Sequence, residues 1–332
     1  MFSCSKSWVQ VVLVAVLALS ANSAWALHAN ESAELPLAEA GGMSLSIKGS
    51  YLAVGGEARE YVYAGEARSY GQAPEYKVSE LIWDITSLAM AGGTISAQLG
   101  EDLRINAGAW FAVNEGSGGM EDYDWIWQAP QSGDWTHFSE SEVDIESAYS
   151  IDINASLGLF ELGPFQVSGL LGYKHDFWEW SDFGGTYIYS TFGFRDDVGS
   201  FGGENGIDYE QTFDIPYVGI QLATEGASVR ASGYFLYSPL VMAEDKDHHI
   251  LRNLYFREEF EGGDFFAAGL DVSIDLTESI FIAGSVDAQV IPEFTGDMFV
   301  KTGPDGEEGT SPDGAGIENT VVAVGLSAGI RL

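Results

Sequence analysis

Met43, Leu45, Ile47, Gly49, Tyr51 and Ala53 alternate with Ser44, Ser46, Lys48 and Ser50. A period of two puts every apolar side chain on one face of an extended strand and every polar one on the other. The pattern returns in Leu103, Ile105, Ala107, Ala109, Phe111 and Val113, with Arg104, Asn106 and Asn114 opposite. It returns again from Phe165 to Tyr173, from Ala227 to Phe235, from Phe266 to Ile274 and from Val321 to Leu332. Long dyad segments of this kind mark a transmembrane β-barrel, apolar toward lipid and polar toward the lumen.

Ten segments can be marked: 43–64, 76–99, 103–125, 143–160, 165–190, 205–222, 227–250, 253–275, 280–299 and 314–332. Ten is even, as a bacterial single-chain barrel requires. A tilted strand crosses the bilayer in about 9–11 residues, so segments of this length must project beyond it. The expected fold is all-β: a ten-stranded antiparallel transmembrane β-barrel extending beyond the outer membrane. Short links such as Glu101-Asp102 and Thr277-Glu278 are expected as periplasmic turns. The polar links Gln128–Glu142 and Lys301–Ala315 are expected as external loops, the second a flexible acidic loop rather than a calcium site. A soluble sandwich would need a shared dry core, and the charges on the polar faces argue against one.

Residues 1–26 read as a signal peptide, with Lys6, an apolar run from Trp8 to Leu19 and an Ala24-Trp25-Ala26 cleavage pattern. Residues 27–332 are then one barrel domain, opening with a polar lead from Leu27 to Gly42. Cys4 is the only cysteine and lies in the leader, which excludes a thiol protease and a disulfide scaffold. The net charge of −36 becomes −37 when the leader leaves, since it holds Lys6 and no acid. Such a surface excludes nucleic acid as a partner and steers cationic peptides inward.

Asp245, Asp247 and His249 stand at i, i+2 and i+4, one face of a strand. A carboxylate two residues before a histidine can orient the imidazole and stabilise its charged form. Taken alone, the stretch reads more readily as an acidic, solvated loop at a strand end, since short polar motifs often match by chance. His248 competes with His249 for the role but points the other way in a regular strand. For the same reason the two histidines make a poor metal chelate.

Four stretches together resemble the omptins, outer-membrane aspartyl-type proteases of Gram-negative bacteria. They are Met120-Glu121-Asp122-Tyr123-Asp124-Trp125; Gly184-Gly185-Thr186-Tyr187-Ile188-Tyr189-Ser190 running on through Gly193 to Phe201; Tyr237-Ser238 with Asp245-x-Asp247-x-His249; and Gly314-Ala315-Gly316-Ile317-Glu318-Asn319. The resemblance implies an endopeptidase cutting after or between Arg and Lys residues, with its site facing outside the cell. It implies catalytic roles for Asp122, Asp124, Asp247 and His249, and a pocket for the substrate's basic side chain at Glu60 and Asp245. No metal and no covalent intermediate are called for: a water activated by His249 and Asp247 would attack the peptide carbonyl. Asp122 and Asp124 would face it as a coupled pair sharing one proton.

Strand parity tests these assignments. Even positions face the lumen on the first and third segments, which fits Glu60, Asp122 and Asp124. On the seventh, odd positions face lipid, yet Asp245, Asp247 and His249 are odd. The register must therefore shift by one between Tyr237 and Ala243, and Pro239 is the expected bulge.

The expected partners are cationic peptide or protein substrates and outer-membrane lipid, with the protein a monomer. The resemblance implies lipopolysaccharide as an activator, bound on the outer face. At the matched positions this chain offers Tyr173, His175, Phe177 and Thr212, and where an acid would serve the residue after the cut it offers His137, near Trp135. Lipopolysaccharide dependence is thus expected to be weak, or to grow as His175 protonates. Arg252 and Arg257 are the alternative lipid contacts. The competing functions are a non-catalytic adhesin or structural barrel, and a porin. Ten strands enclose little more than side chains, which disfavours the porin.

Overall fold

A computed structural model describes residues 27–29, 43–64, 76–126, 133–226 and 228–332. The leader expected at 1–26, most of the polar lead and part of the 128–142 link lie outside these residues. The chain forms β1 (Met43–Tyr63), β2 (Lys77–Leu99), β3 (Leu103–Ala112), β4 (Gly116–Asp124), β5 (His137–Leu162) and β6 (Phe165–Tyr189). It continues with β7 (Asp197–Ser200), β8 (Asn205–Glu225), β9 (Val229–His249), β10 (Leu254–Asp275), β11 (Ile280–Thr302) and β12 (Glu308–Arg331). Neighbours pair antiparallel, and β12 returns to β1 to close the ring. β3 and β4 fill one place between β2 and β5, and β7 hangs on the upper end of β6. The ring therefore has ten staves.

Three departures from the sequence expectation have local causes. The third segment is broken, because the Asn114 side chain takes over the backbone bonding: its Nδ2 donates to Ser87 O (2.8 Å) and its Oδ1 accepts from Ala89 N (2.6 Å). The fourth stave begins at His137, not at 143, since His137–Glu142 pair with Gly119–Asp124 of β4. That polar run is cleft wall, with Ser139 and Ser141 turned inward and buried, rather than external loop. Likewise Glu308–Ser311 pair with Met298–Lys301, leaving only residues 303–307 as the turn. Above a membrane a strand meets water or a wet cleft on its faces, so polar composition does not end it.

The barrel is inside-out relative to a water-soluble fold. Met43 and Leu270 expose 68% and 58% of their surface, while Ser46 and Asp271 expose 1% and 3%. Only hydrocarbon outside makes that arrangement favourable. The lumen at this level is closed by charge pairs: Lys174 with Asp176, Lys48 with Asp271 (3.6 Å), and Arg331 and Arg230 on Asp275 (2.8 and 2.9 Å). Leu27, His28 and Ala29 also lie here, buried, with His28 Nδ1 3.1 Å from Asp152. The start of the polar lead is therefore a lumen residue set, not surface. Higher up, Trp83, Trp180 and Tyr209 stack with centroids 5.1–6.3 Å apart, a floor of rings from β2, β6 and β8.

The outward apolar band ends near Met242 on β9 and Phe266 on β10. Beyond it, the outward positions of these strands carry Glu244, Lys246, Arg257 and Glu259. Everything of chemical interest sits above that line.

Candidate active site

The expected register shift lies at Pro239 and Leu240. Inward positions on β9 are even through Ser238 and odd from Val241 onward. Opposite it, Asp214 to Val218 of β8 spans one residue fewer than Tyr237 to Met242. Pro239 has no N–H to offer the ladder, and Leu240 N donates instead to Ser238 Oγ (3.1 Å). The bulge turns Asp245, Asp247 and His249 into the barrel mouth.

His249 ends β9, and its Nε2 is 2.6 Å from Asp247 Oδ2. The neighbouring His248 stacks outside on Tyr255 with ring centroids 3.9 Å apart. A one-turn 3₁₀ segment, Ile250–Arg252, follows and ends on Asn253 in the left-handed region (φ 50°). This reversal sends Arg252 back over the imidazole, where its Nη2 reaches Nδ1. Arg252 thus faces the cleft and not lipid. Arg257, the other candidate lipid contact, is engaged by Glu259 and lies over the Phe299 ring. A guanidinium only donates, so with Arg252 Nη2 closest to Nδ1 and 3.1 Å from Nε2, the tautomer with Nδ1 as acceptor puts the ring proton on Nε2, facing Asp247.

These groups line a cleft of roughly 440 Å³ with Glu60, Asp122, Asp124, His137, Asp182, Tyr189, Glu204, Phe201 and Phe256. Asp122 and Asp124 come from β4, facing β9 across the opening. Ser79 Oγ donates to Asp122 Oδ1 (3.3 Å). Asp245 lies just behind the lining, where Tyr209 Oη donates to its Oδ2 (3.1 Å). Gln211 Nε2 donates to Tyr209 Oη (2.9 Å), and Asn319 Nδ2 to Gln211 Oε1 (3.0 Å), so a chain of bonds from β12 fixes Asp245. All six residues singled out in the sequence therefore gather at one mouth.

Burial dominates the electrostatics. It raises the Asp124 carboxyl to about 6 against the opposing pull of Ser79, Arg252 and His249. It raises Asp122 too, with Asp124 adding repulsion, and Asp247, with Asp182 and Asp208 adding theirs. Burial and then Arg252 lower His249 to about 3, while Asp124 and Asp182 oppose them. The imidazole is therefore neutral at neutral pH, with Nδ1 covered by Arg252.

The sequence reasoning missed Asp182, Arg252 and Glu258. Asp182 on β6 accepts from the backbone N–H of Gly206 (3.1 Å) and Ile207 (2.5 Å), tying β8 to the cleft. Its signal was available: it sits on the inward parity of β6, two residues before the Gly184-Gly185 pair begins. Those glycines have φ of 63° and 95°, and a Cβ on Gly185 would stand 1.9 Å from Glu140 O. Glycine there lets β6 bend inward and carry Tyr189 to the cleft wall. His137 shares that wall, its ring 5.0 Å from Tyr189.

A closed ring, an apolar outer belt and an acid-lined mouth with a His–Asp pair define the class: an outer-membrane barrel carrying a hydrolytic cleft. The omptin family model matches residues 42–331, and the chain belongs to the omptin family of outer-membrane proteases. Protease 7 of Escherichia coli O157:H7 is 28% identical over 80% of this chain and 83% of its own length. The plasminogen activator of Yersinia pestis is 27% identical over 98% of this chain and 95% of its own. The crystal structure of outer membrane protease OmpT from Escherichia coli superposes with a TM-score of 0.80 at 24% identity, covering 87% of this chain and 97% of that one.

Proposed function

We propose that this outer-membrane protease is an endopeptidase that cuts after or between basic residues through a water activated by His249 and Asp247. The observation that supports it most is the 2.6 Å His249–Asp247 contact, set in a cleft with Asp122 and Asp124 on the facing wall. Asp247 accepts from Nε2–H and holds the tautomer with Nδ1 as the base. A water takes the place of Arg252 at Nδ1 and gives its proton there as its oxygen bonds to the peptide carbonyl carbon. The C–N bond then breaks, and His249 returns the proton to the leaving amine. The proton shared by Asp122 and Asp124 can bond the developing oxyanion or hold the water.

The basic side chain enters beside Glu60, with Asp245 behind it. Glu60 Oε2 and Asp245 Oδ1 are buried without a hydrogen-bond partner, and a substrate cation would satisfy both. Digestion of a peptide library by refolded protein, read by mass spectrometry, tests the reading; cuts scattered without regard to Arg or Lys would refute it.

On the outer face, His175 Nδ1 contacts Asp214 (2.8 Å), and Tyr149 stacks on Phe177 (5.1 Å) and His175 (5.7 Å). This aromatic patch supports lipid contact by stacking and burial, with lipopolysaccharide activation weaker than a cation clamp would give.

A further inference from the structure

Glu258 stands on β10 directly opposite Asp245 of β9. It is wholly buried; as a carboxylate neither of its oxygens has a donor, and its side-chain hydrogen bond is with Asp245, which requires a proton on one of the two. Its strand neighbours Arg257 and Glu259 engage each other on the outer face, so alternation aims Glu258 inward. Its register partner on β11 is Met298, which offers no charge. The groups that bear on it are Asp245 and Asp247 from β9 and Glu60 from β1. Tyr209 from β8 bears on Asp245, Asp122 from β4 bears on Glu60, and Arg252 bears on Glu60 from the turn. No cation among these reaches Glu258 itself.

Lower in the barrel two buried carboxylates have a lysine, Asp176 with Lys174 and Asp271 with Lys48. Leaving one unpaired is costly, and here three lie together on β1, β9 and β10. A ligand that brings its own positive charge removes that cost.

We infer that Glu258 is the third wall of the pocket for the substrate's basic side chain, and that it makes the pocket select arginine over lysine. The inference rests on the proposed function above. A guanidinium carries five N–H donors in a planar fork, enough to bond three carboxylates on three strands at once. An ammonium has three donors on one atom and is more strongly hydrated. Glu60 and Asp245 alone would hold either. Burial and mutual repulsion also keep part of the trio protonated in the free enzyme, so an entering guanidinium expels protons.

The test uses the refolded full chain, wild type and E258Q, with two peptides that differ only in Arg or Lys before the cut. E258Q should lower kcat/KM on the Arg peptide by about tenfold or more, the size of one charge-assisted hydrogen bond. The loss should fall on KM, and the Lys peptide should change less. E258D keeps the charge one methylene short, and should retain part of the arginine preference. Binding of an Arg peptide with an N-methylated scissile bond is then measured by calorimetry in buffers of different ionisation heat. Wild type should release at least one proton near neutral pH and E258Q about one fewer. An unchanged Arg-to-Lys ratio with an unchanged proton count overturns the assignment of Glu258. A wild type that cuts without regard to basic residues instead overturns the proposed function, and the inference with it.

Discussion

The two halves of the barrel bury carboxylates in opposite ways. At membrane level, Asp176, Asp271 and Asp275 face Lys174, Lys48, Arg230 and Arg331, and Asp152 faces His28. In the mouth, Glu60, Asp122, Asp124, Asp245, Asp247 and Glu258 crowd together. The cation that acts on this group from within, among the described residues, is Arg252. The lower carboxylates each face a cation or a histidine, Asp287 included with His28 Nε2 3.7 Å away, although neither oxygen of Asp271 or Asp287 has a hydrogen-bond partner. The upper ones are incomplete, and that incompleteness is what a cationic substrate and a proton-transfer step can use.

The largest effect should come from breaking the chemistry while leaving both charge sets in place. Asp247→Asn or His249→Ala should lower kcat by about 10²–10⁴ with folding unchanged, whereas His248→Ala, outside the cleft, should keep near-full activity. Steady-state kinetics and heat-modified gel mobility read the two properties together. Loss of activity in His248→Ala with retention in His249→Ala would mean that β9 is off register by one.

Next in size is a direct contrast in stability. Lys174→Met leaves Asp176 buried and unpaired, which should cost about 3–5 kcal/mol. Glu60→Gln should do the reverse. Burial, then Asp247 and Asp122, raise the Glu60 carboxyl in the folded protein. Its contribution to stability is then full below its unfolded value of about 4.3 and is lost as pH rises through the folded value. The variant stays neutral throughout, so it should be more stable than wild type at pH 8 and equal to it at pH 4. Denaturant melts at both pH values check this, and equal destabilisation by both substitutions would erase the distinction between the halves.

A smaller effect should follow from removing the cleft's own cation. Arg252 lowers both Asp124 and His249. In Arg252→Gln both should titrate at higher pH, and the acid limb of kcat/KM should move up from its wild-type position. Asp124 at about 6 places that limb well above the His249 value of about 3. A profile that stays put would remove Arg252 from the proton balance.

The smallest effect concerns the outer face. Titration of detergent-refolded enzyme with lipopolysaccharide should show weak activation, because the matched positions offer the Tyr173, His175 and Phe177 rings rather than a cation clamp. Full activation at low lipopolysaccharide would mean that cations elsewhere make the contact.

Strand order, inward faces and the bulge at Pro239 were legible because alternation leaves no freedom: a one-residue slip exposes charge to lipid. The candidate site residues came from the resemblance to the omptins, and parity, corrected at that bulge, agrees with their facing the mouth. Stave ends were not, because composition stops reporting strand where both faces are wet, as at His137–Glu142 and Glu308–Ala315. Arg252, offered from the sequence as an alternative lipid contact, turns over the cleft because its direction depends on one left-handed residue, Asn253. Glu258 was invisible for a different reason. In Arg257-Glu258-Glu259 the three charges look alike, and only pairing with Asp245 shows which one is sealed inside.

The central claim is that the mouth's unpaired acids exist to receive a basic side chain. The cleavage profile of Glu60→Gln/Asp245→Asn on a peptide library tests it most directly. With two of the three pocket acids neutral, the relative rate before uncharged residues should rise toward that before Arg and Lys. A doubly neutralised enzyme that still cut strictly at Arg or Lys would contradict the account.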